Sequence, residues 1–290
     1  MGEPMDLEHL KSWVGRTDEA HDVLSVRLAD GFAAMLDREE TFADGDEAPL
    51  CLHWCLAPAT VPNGATGPDG HPARGGFLPP VPLPRRMWAG GEIAFHAPLR
   101  VGDVVTRRST IEDVAAKEGR SGRLVFVTVR HAYKTDRGTA LTDRQDIVYR
   151  DAAPPDARQP QGPEPSHGAD EVREVDATPL LLFRYSALTF NGHRIHYDRD
   201  YVTKEEGYPG LVVHGPLQAT LLVQLAALAL DGTPATFAYR GVAPLIDGAT
   251  FTVNAARTGD GVVLWTAGAD GRVRMSGEAS RQPTGTTSTS

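Results

Sequence analysis

Apolar and polar residues alternate along this chain in two similar blocks. In the first, VVTRRSTIEDV (104–114) is β-branched and roughly alternating, LVFVTVRHAY (124–133) is dense in Val, Phe, Thr and Tyr, and LTDRQDIVYR (141–150) adds a third segment. Such segments read as strands. Glu118-Gly119-Arg120-Ser121-Gly122 and Asp136-Arg137-Gly138 separate them as turns. In the second block ATFTVNAAR (249–257), VVLWTAG (262–268) and RVRMSGEAS (272–280) follow the same order, separated by Thr258-Gly259-Asp260-Gly261 and Ala269-Asp270-Gly271. Short strands joined by such turns predict an antiparallel meander at the end of each half. A weak repeat stands just before each meander: APLRVG at 97–102 and APLIDG at 243–248.

A helical pattern precedes each meander. LQATLLVQLAALAL (217–230) is apolar nearly all round, which predicts a helix buried on most sides. Pro216 suits its first turn and Asp231-Gly232 its end. In the first half, SVRLADGFAAMLD (25–37) carries Leu28, Ala29, Phe32, Ala33 and Leu36 at helical spacing, interrupted by Gly31. A long buried helix against the concave face of a curled antiparallel sheet is the α+β hotdog arrangement. Two copies predict a tandem hotdog: an N-terminal unit over 1–150 and a C-terminal unit over 180–281. Residues 151–179, rich in Pro and polar side chains, read as a linker, and 282–290 as a disordered tail.

Composition narrows the function classes. The 290 residues carry 29 Lys and Arg against 38 Asp and Glu, a net charge of −9, which disfavours nucleic acid as a partner. No run reaches the length of a membrane helix, and MGEPMDLEHLKSW is no secretory leader, so a cytoplasmic location without membrane contact is expected. Cys51 and Cys55 with His53 lack the further ligands of a zinc site. No nucleotide-binding glycine motif or serine-hydrolase elbow is present, so neither a metal nor a cofactor is expected.

The chemistry concentrates in FRYSALTFNGHRIHYDRDYVTKEEGYPGLVVHGPLQ (183–218), which holds His193, His196 and His214 just before the apolar helix. Buried polar groups at that density cost stability, and function is the usual reason to keep them. Ile195-His196-Tyr197-Asp198 and His214-Gly215 resemble the signature elements of the MaoC-like hotdog hydratases and dehydratases. RYSALTFN, HRIHYD, EGYPGLVVHGPL and PLPRRMWAGGEIAFHAPLRVGD bring the likeness closest to the mesaconyl-C4-CoA hydratases, with the mitochondrial-type 3-hydroxyacyl-thioester dehydratases a near second. The likeness spans about residues 10–281. It implies a hydro-lyase acting on an α,β-unsaturated acyl-CoA thioester. The wider signature has Asp five residues before its His, where this chain has Asn191, which donates and accepts hydrogen bonds but takes no proton.

Hydration of such a thioester needs a polarised carbonyl, an activated water and a proton for Cα. The free N–H groups at a helix start serve the first, and Gly215 lies at that start. His196 is the expected base, and if one group handles both protons it returns to Cα the proton it took from water. Asn191 holds the water or the histidine, and Asp198 or His193 orients the imidazole. His214, together with Arg184 or Arg194 facing an acyl carboxylate and Arg85-Arg86 facing coenzyme A phosphates, completes the expected substrate contacts. The N-terminal half lacks such a motif and is expected to shape the acyl and coenzyme A tunnel. The chain would mimic a hotdog dimer in one polypeptide, with further self-association open. The alternatives are a dehydratase of plain fatty acyl thioesters, a hotdog thioesterase, and a non-catalytic acyl-CoA-binding protein.

Overall fold

The computed structural model describes residues 5–119, 122–152 and 159–281. The expected tail (282–290), two residues of the first predicted turn (120–121) and part of the expected linker (153–158) lie outside the described residues.

The first half begins with helix α1 (Leu7–Lys11), strand β1 (Thr17–Val23) and helix α2 (Val26–Met35). The hydroxyl of Ser25 caps α2 by accepting the Leu28 N–H. Strands β2 (Arg85–Phe95), β3 (Val104–Gly119), β4 (Gly122–Thr135) and β5 (Gly138–Arg150) follow. The second half repeats the order with β6 (Glu171–Asp176), helices α3 (Pro179–Thr189), α4 (Arg199–Lys204) and α5 (Gly215–Ala229), then β7 (Thr236–Gly241), β8 (Thr250–Thr258), β9 (Gly261–Ala267) and β10 (Val273–Ser280). The ten strands form one antiparallel sheet in the order β1-β3-β4-β5-β2-β7-β10-β9-β8-β6. Its halves map onto each other strand for strand, and the repeated A-P-L-x-x-G segments occupy equivalent connections, β2–β3 and β7–β8. This is the predicted tandem hotdog.

α5 is buried along ten of its fifteen residues and packs on β8, β9 and β10, as its all-round apolarity requires. α2 is shorter and packs on α3. A side chain at Gly31 would meet Leu188 Cδ2 at 3.3 Å, so the glycine that interrupts the helical pattern marks this close contact. The main core runs through both halves. A second, smaller core joins Leu10, Val81 and Leu83 to Val125, Val127 and Val129 of β4.

The span expected as a linker is not all connector. Residues 171–176 form β6, which pairs with β8 from Glu171 opposite Ala255 to Asp176 opposite Thr250. Its EVREVD sequence hid it, because an edge strand tolerates charge and this one is almost wholly exposed.

The halves meet where β2 pairs with β7. A bulge between Trp88 and Gly90 leads into Gly91, where a Cβ would stand 2.3 Å from the Arg144 carbonyl and 2.6 Å from the Tyr239 hydroxyl. Gly91→Ala should therefore cost about 1–3 kcal/mol of stability. A chain of this size then melts roughly 2–4 °C lower per kcal/mol. A thermal melt unchanged by the substitution would refute this account of the join.

Candidate active site

The site forms where the segment after α3 meets the start of α5. The α3 helix ends with Phe190 in the left-handed region (φ 51°), and the Asn191 N–H returns to the Ser186 carbonyl at 2.9 Å. The Asn191 side-chain oxygen then accepts the His193 N–H at 2.9 Å, which leaves its amide NH₂ as a donor. Asn191 thus closes the turn after α3 while keeping an amide donor available. A single 3-10 turn (Arg194–His196) carries His196 inward.

His196 is buried, and its Nδ1 donates to the Val212 carbonyl at 2.7 Å, which fixes the tautomer and leaves Nε2 with a lone pair. Its ring stacks on His214 (centroids 3.6 Å, planes 20° apart) and meets His193 edge-on at 5.3 Å. His214 is fully buried, shares a 2.8 Å hydrogen bond with the Ser186 hydroxyl and lies against Tyr185 at 4.9 Å. Expected as a substrate contact, it instead backs the His196 ring. Burial pushes the His196 imidazole down to about 3. Burial likewise holds His193 and His214 well below the ordinary imidazole range, with neighbouring rings adding to the effect.

Gly215 is the first residue of α5, whose leading N–H groups have no partner within the helix. A Cβ there would meet Met275 Cε at 3.8 Å and Trp88 at 3.9–4.0 Å, all ordinary contacts. The bulge of β2 delivers Trp88 to this point, where its indole N–H donates to the Tyr239 hydroxyl at 3.0 Å. Trp54 packs edge-on to Trp88 at 5.5 Å and is itself held by the buried Asp143 carboxylate at 2.8 Å. Aromatic rings thus pack beside the helix start. A cavity of about 610 Å³ lies at the other end of α5, beside Gln224 and Ala227.

Several expected roles need correcting. Asp198 does not orient the His196 imidazole, because the Val212 carbonyl does so. Asp198 caps α4 by accepting the Tyr201 N–H at 3.0 Å and pairs with Arg194 at 2.8 Å. Arg194 is committed to that pair, to the Pro68 carbonyl (3.0 Å) and to the Tyr201 ring (4.1 Å), so it is not free for an acyl carboxylate. Arg85 is buried in an ion pair with Glu206 and donates to the Glu206 carbonyl at 2.7 Å, away from any phosphate role. Arg184 is exposed on α3, with its guanidinium 3.5 Å from the Ala34 carbonyl. Arg86 is half-buried, and its positive charge bears on Asp69, His71 and His193.

Asp69 and His71, in the loop before β2, are at the site and were not expected there. Asp69 accepts from His71 Nδ1 at 2.9 Å, and the His71 ring lies 4.1 Å from that of His193. Burial opposes ionisation of Asp69, but the bond and charge of His71 outweigh it and hold the carboxyl well below the usual range. Burial lowers His71 as well. Pro68-Asp69-Gly70-His71-Pro72 reads as a turn, and nothing local shows which segment it meets.

Unfolded imidazoles titrate near 6.5, whereas His196 stays neutral in the fold down to about 3. Between those values the unfolded chain takes up more protons. Stability is therefore full above 6.5 and falls as pH drops toward 3. Melts from about pH 8 to about pH 4 should decline below pH ~6.5, and less steeply in His196→Gln. Parallel slopes for the two proteins would refute the assignment.

The profile of the family described as hydroxyacyl-thioester dehydratase type 2 matches residues 51–247. The chain is 44% identical over 267 residues to a protein of Chloroflexus aurantiacus named mesaconyl-C(4)-CoA hydratase, covering 91% of this chain and 95% of that one. A MaoC-like dehydratase structure from Phytophthora capsici superposes with a TM-score of 0.68 at 15% identity, covering 97% of this chain and all (100%) of that one. A Mycobacterium tuberculosis protein described as a double hotdog fold superposes with a TM-score of 0.57 at 14% identity, covering 92% and 95%. At such identities the solved structures speak for the fold.

Proposed function

As a member of the hydroxyacyl-thioester dehydratase type 2 family, to which this chain belongs, it is an acyl-thioester hydro-lyase, and we propose that it hydrates a short, branched, carboxylated enoyl-CoA of the mesaconyl-C4-CoA kind. The observation that carries this reading is His196, fixed through Nδ1 to the Val212 carbonyl beside the start of α5. The thioester oxygen meets the Gly215 N–H, where the helix dipole and free donors stabilise an enolate. Packing leaves room at 215, and with no side chain there its N–H is open to close approach by the thioester. Water bound between His196 Nε2 and the Asn191 amide attacks Cβ, and His196 takes its proton.

The packing of Trp54, Trp88 and Tyr239 beside the helix start favours a compact acyl group over a long chain. In this reading Arg86, first expected to face coenzyme A phosphates, instead takes the acyl carboxylate, the role first considered for Arg184 and Arg194, because its charge bears on His71 and His193. The division of labour follows: residues 1–150 hold the substrate and 180–281 supply His196 and Gly215. The buried thiols Cys51 and Cys55 suit a reducing, cytoplasmic setting.

The test is hydration of an enoyl-CoA panel in ¹⁸O-labelled water. Label should enter mesaconyl-type substrates, and His196→Ala should lose about 10²–10⁴-fold in rate. Label entering only crotonyl and longer straight-chain esters would transfer the activity to fatty acyl dehydration. Gly215→Ala should keep the melting temperature while kcat falls by roughly 10-fold or more. Arg86→Gln should raise KM for the carboxylated ester by about 10-fold, with little change for an uncarboxylated one. An equal rise for both esters would remove Arg86 from specificity.

A further inference from the structure

Among the described residues, no carboxylate partners His196. Its Nδ1 faces a neutral carbonyl, and its ring lies between His214 and His193. A proton taken from water is poorly held there, and burial opposes the imidazolium. A few ångströms along the same row of rings stands a histidine that does have a carboxylate, His71 with Asp69.

The loop carrying this pair is docked closely. Gly70 adopts φ +87°, and a Cβ there would stand 1.9 Å from the Gly192 carbonyl oxygen. The Arg194 N–H donates to the Asp69 carbonyl at 2.9 Å, and its guanidinium reaches the Pro68 carbonyl at 3.0 Å. Backbone thus locks to backbone between 68–70 and 192–194, which holds His71 against His193. Ring nitrogens of His71 and His193 and a carboxylate oxygen of Asp69 lie within 4.8 Å of one another, a span one water can bridge.

We propose that His71, held by Asp69, is the second catalytic histidine, and that it handles the proton at Cα. This rests on the hydratase reading above. In hydration, His196 Nε2 takes a proton as the water oxygen bonds to Cβ, and the C=C electron pair moves to the enolate at Gly215. The proton passes along His193 to His71. His71 gives it to Cα as the enolate pair forms the new C–H bond. One water is added, and every imidazole ends neutral. In dehydration His71 takes the Cα proton, and the same path returns it to the departing hydroxyl. Asp69 fixes His71 with Nδ1 as donor and Nε2 toward the reaction, and it supports the transient imidazolium.

Steady-state kinetics of wild type, His71→Ala and Asp69→Asn, each with and without added imidazoles of graded basicity, tests the proposal. His71→Ala should lower kcat by about 10²–10³-fold with KM within about threefold. Imidazoles should restore at least about tenfold, more with greater basicity, as a proton carrier would and a merely structural side chain would not. Asp69→Asn should lose roughly tenfold. A His71→Ala kcat within about threefold of wild type would overturn the proposal. So would a loss that no imidazole restores at an unchanged melting temperature. Should His71→Ala not fold, His71→Gln is assayed instead, and wild-type kcat there overturns the proposal equally. Loss of wild-type activity to a chelator, restored by zinc, would overturn it in favour of a metal on Asp69, His71 and His193. A wild type inactive on every enoyl-CoA overturns the hydratase reading itself.

Discussion

The antiparallel pairing of β2 with β7 is the constraint on which the rest of the molecule depends. Without it each half would be a five-stranded sheet with open edges at the middle, a template for unwanted pairing. With it the sheet is continuous, and a single strand of the N-terminal half carries three residues to the candidate site and its surroundings. Trp88 comes against Gly215 through the bulge, Arg85 ties down the loop after α4, and Arg86 stands beside Asp69 and His71. Gly91 is where this join is tightest, because the Arg144 carbonyl and the Tyr239 hydroxyl converge on the space its side chain would need.

The site pays for its position in desolvation. His71, His193, His196 and His214 form a row whose outer ring is partly exposed and whose innermost ring is fully buried. The fold keeps them neutral and gives three of them a fixed partner: a carboxylate at His71, a carbonyl at His196 and a hydroxyl at His214. Satisfaction is incomplete deeper in, where, among the described residues, the buried His214 Nδ1 has no protein hydrogen-bond partner. Such an atom costs stability.

Much of this was legible in the sequence, for reasons that can be named. Period-two patterning specifies the meanders because one face of each strand is buried, and the apolarity of α5 all round specifies a central helix. His196, Asn191 and Gly215 lie within twenty-five residues of one another in one polar segment, so their proximity was local information. What escaped was tertiary. β6 is an edge strand whose charges mask its alternation. The arginines read equally as ligands or as ion-pair partners until Asp198 and Glu206 are seen against Arg194 and Arg85. Asp69 and His71 lie more than a hundred residues from His196, and their route to it is a contact between two glycines that no periodicity records.

The asymmetry of the halves follows from the same packing. α5 spans fifteen residues, whereas α2 spans ten and turns to α3. A shorter helix cannot cover the long strands β3, β4 and β5, so their remaining inward face needs a different cover. Leu10 of α1 with Val81 and Leu83 provides it as the smaller core. The chain that reaches this cover passes through residues 66–73, and Arg74 anchors it by donating to the Val81 and Pro84 carbonyls at 2.7 Å. That path carries Asp69 and His71 across to the C-terminal half. The shortening of one helix is thus the structural reason that the N-terminal half lends side chains to a site built around the start of α5.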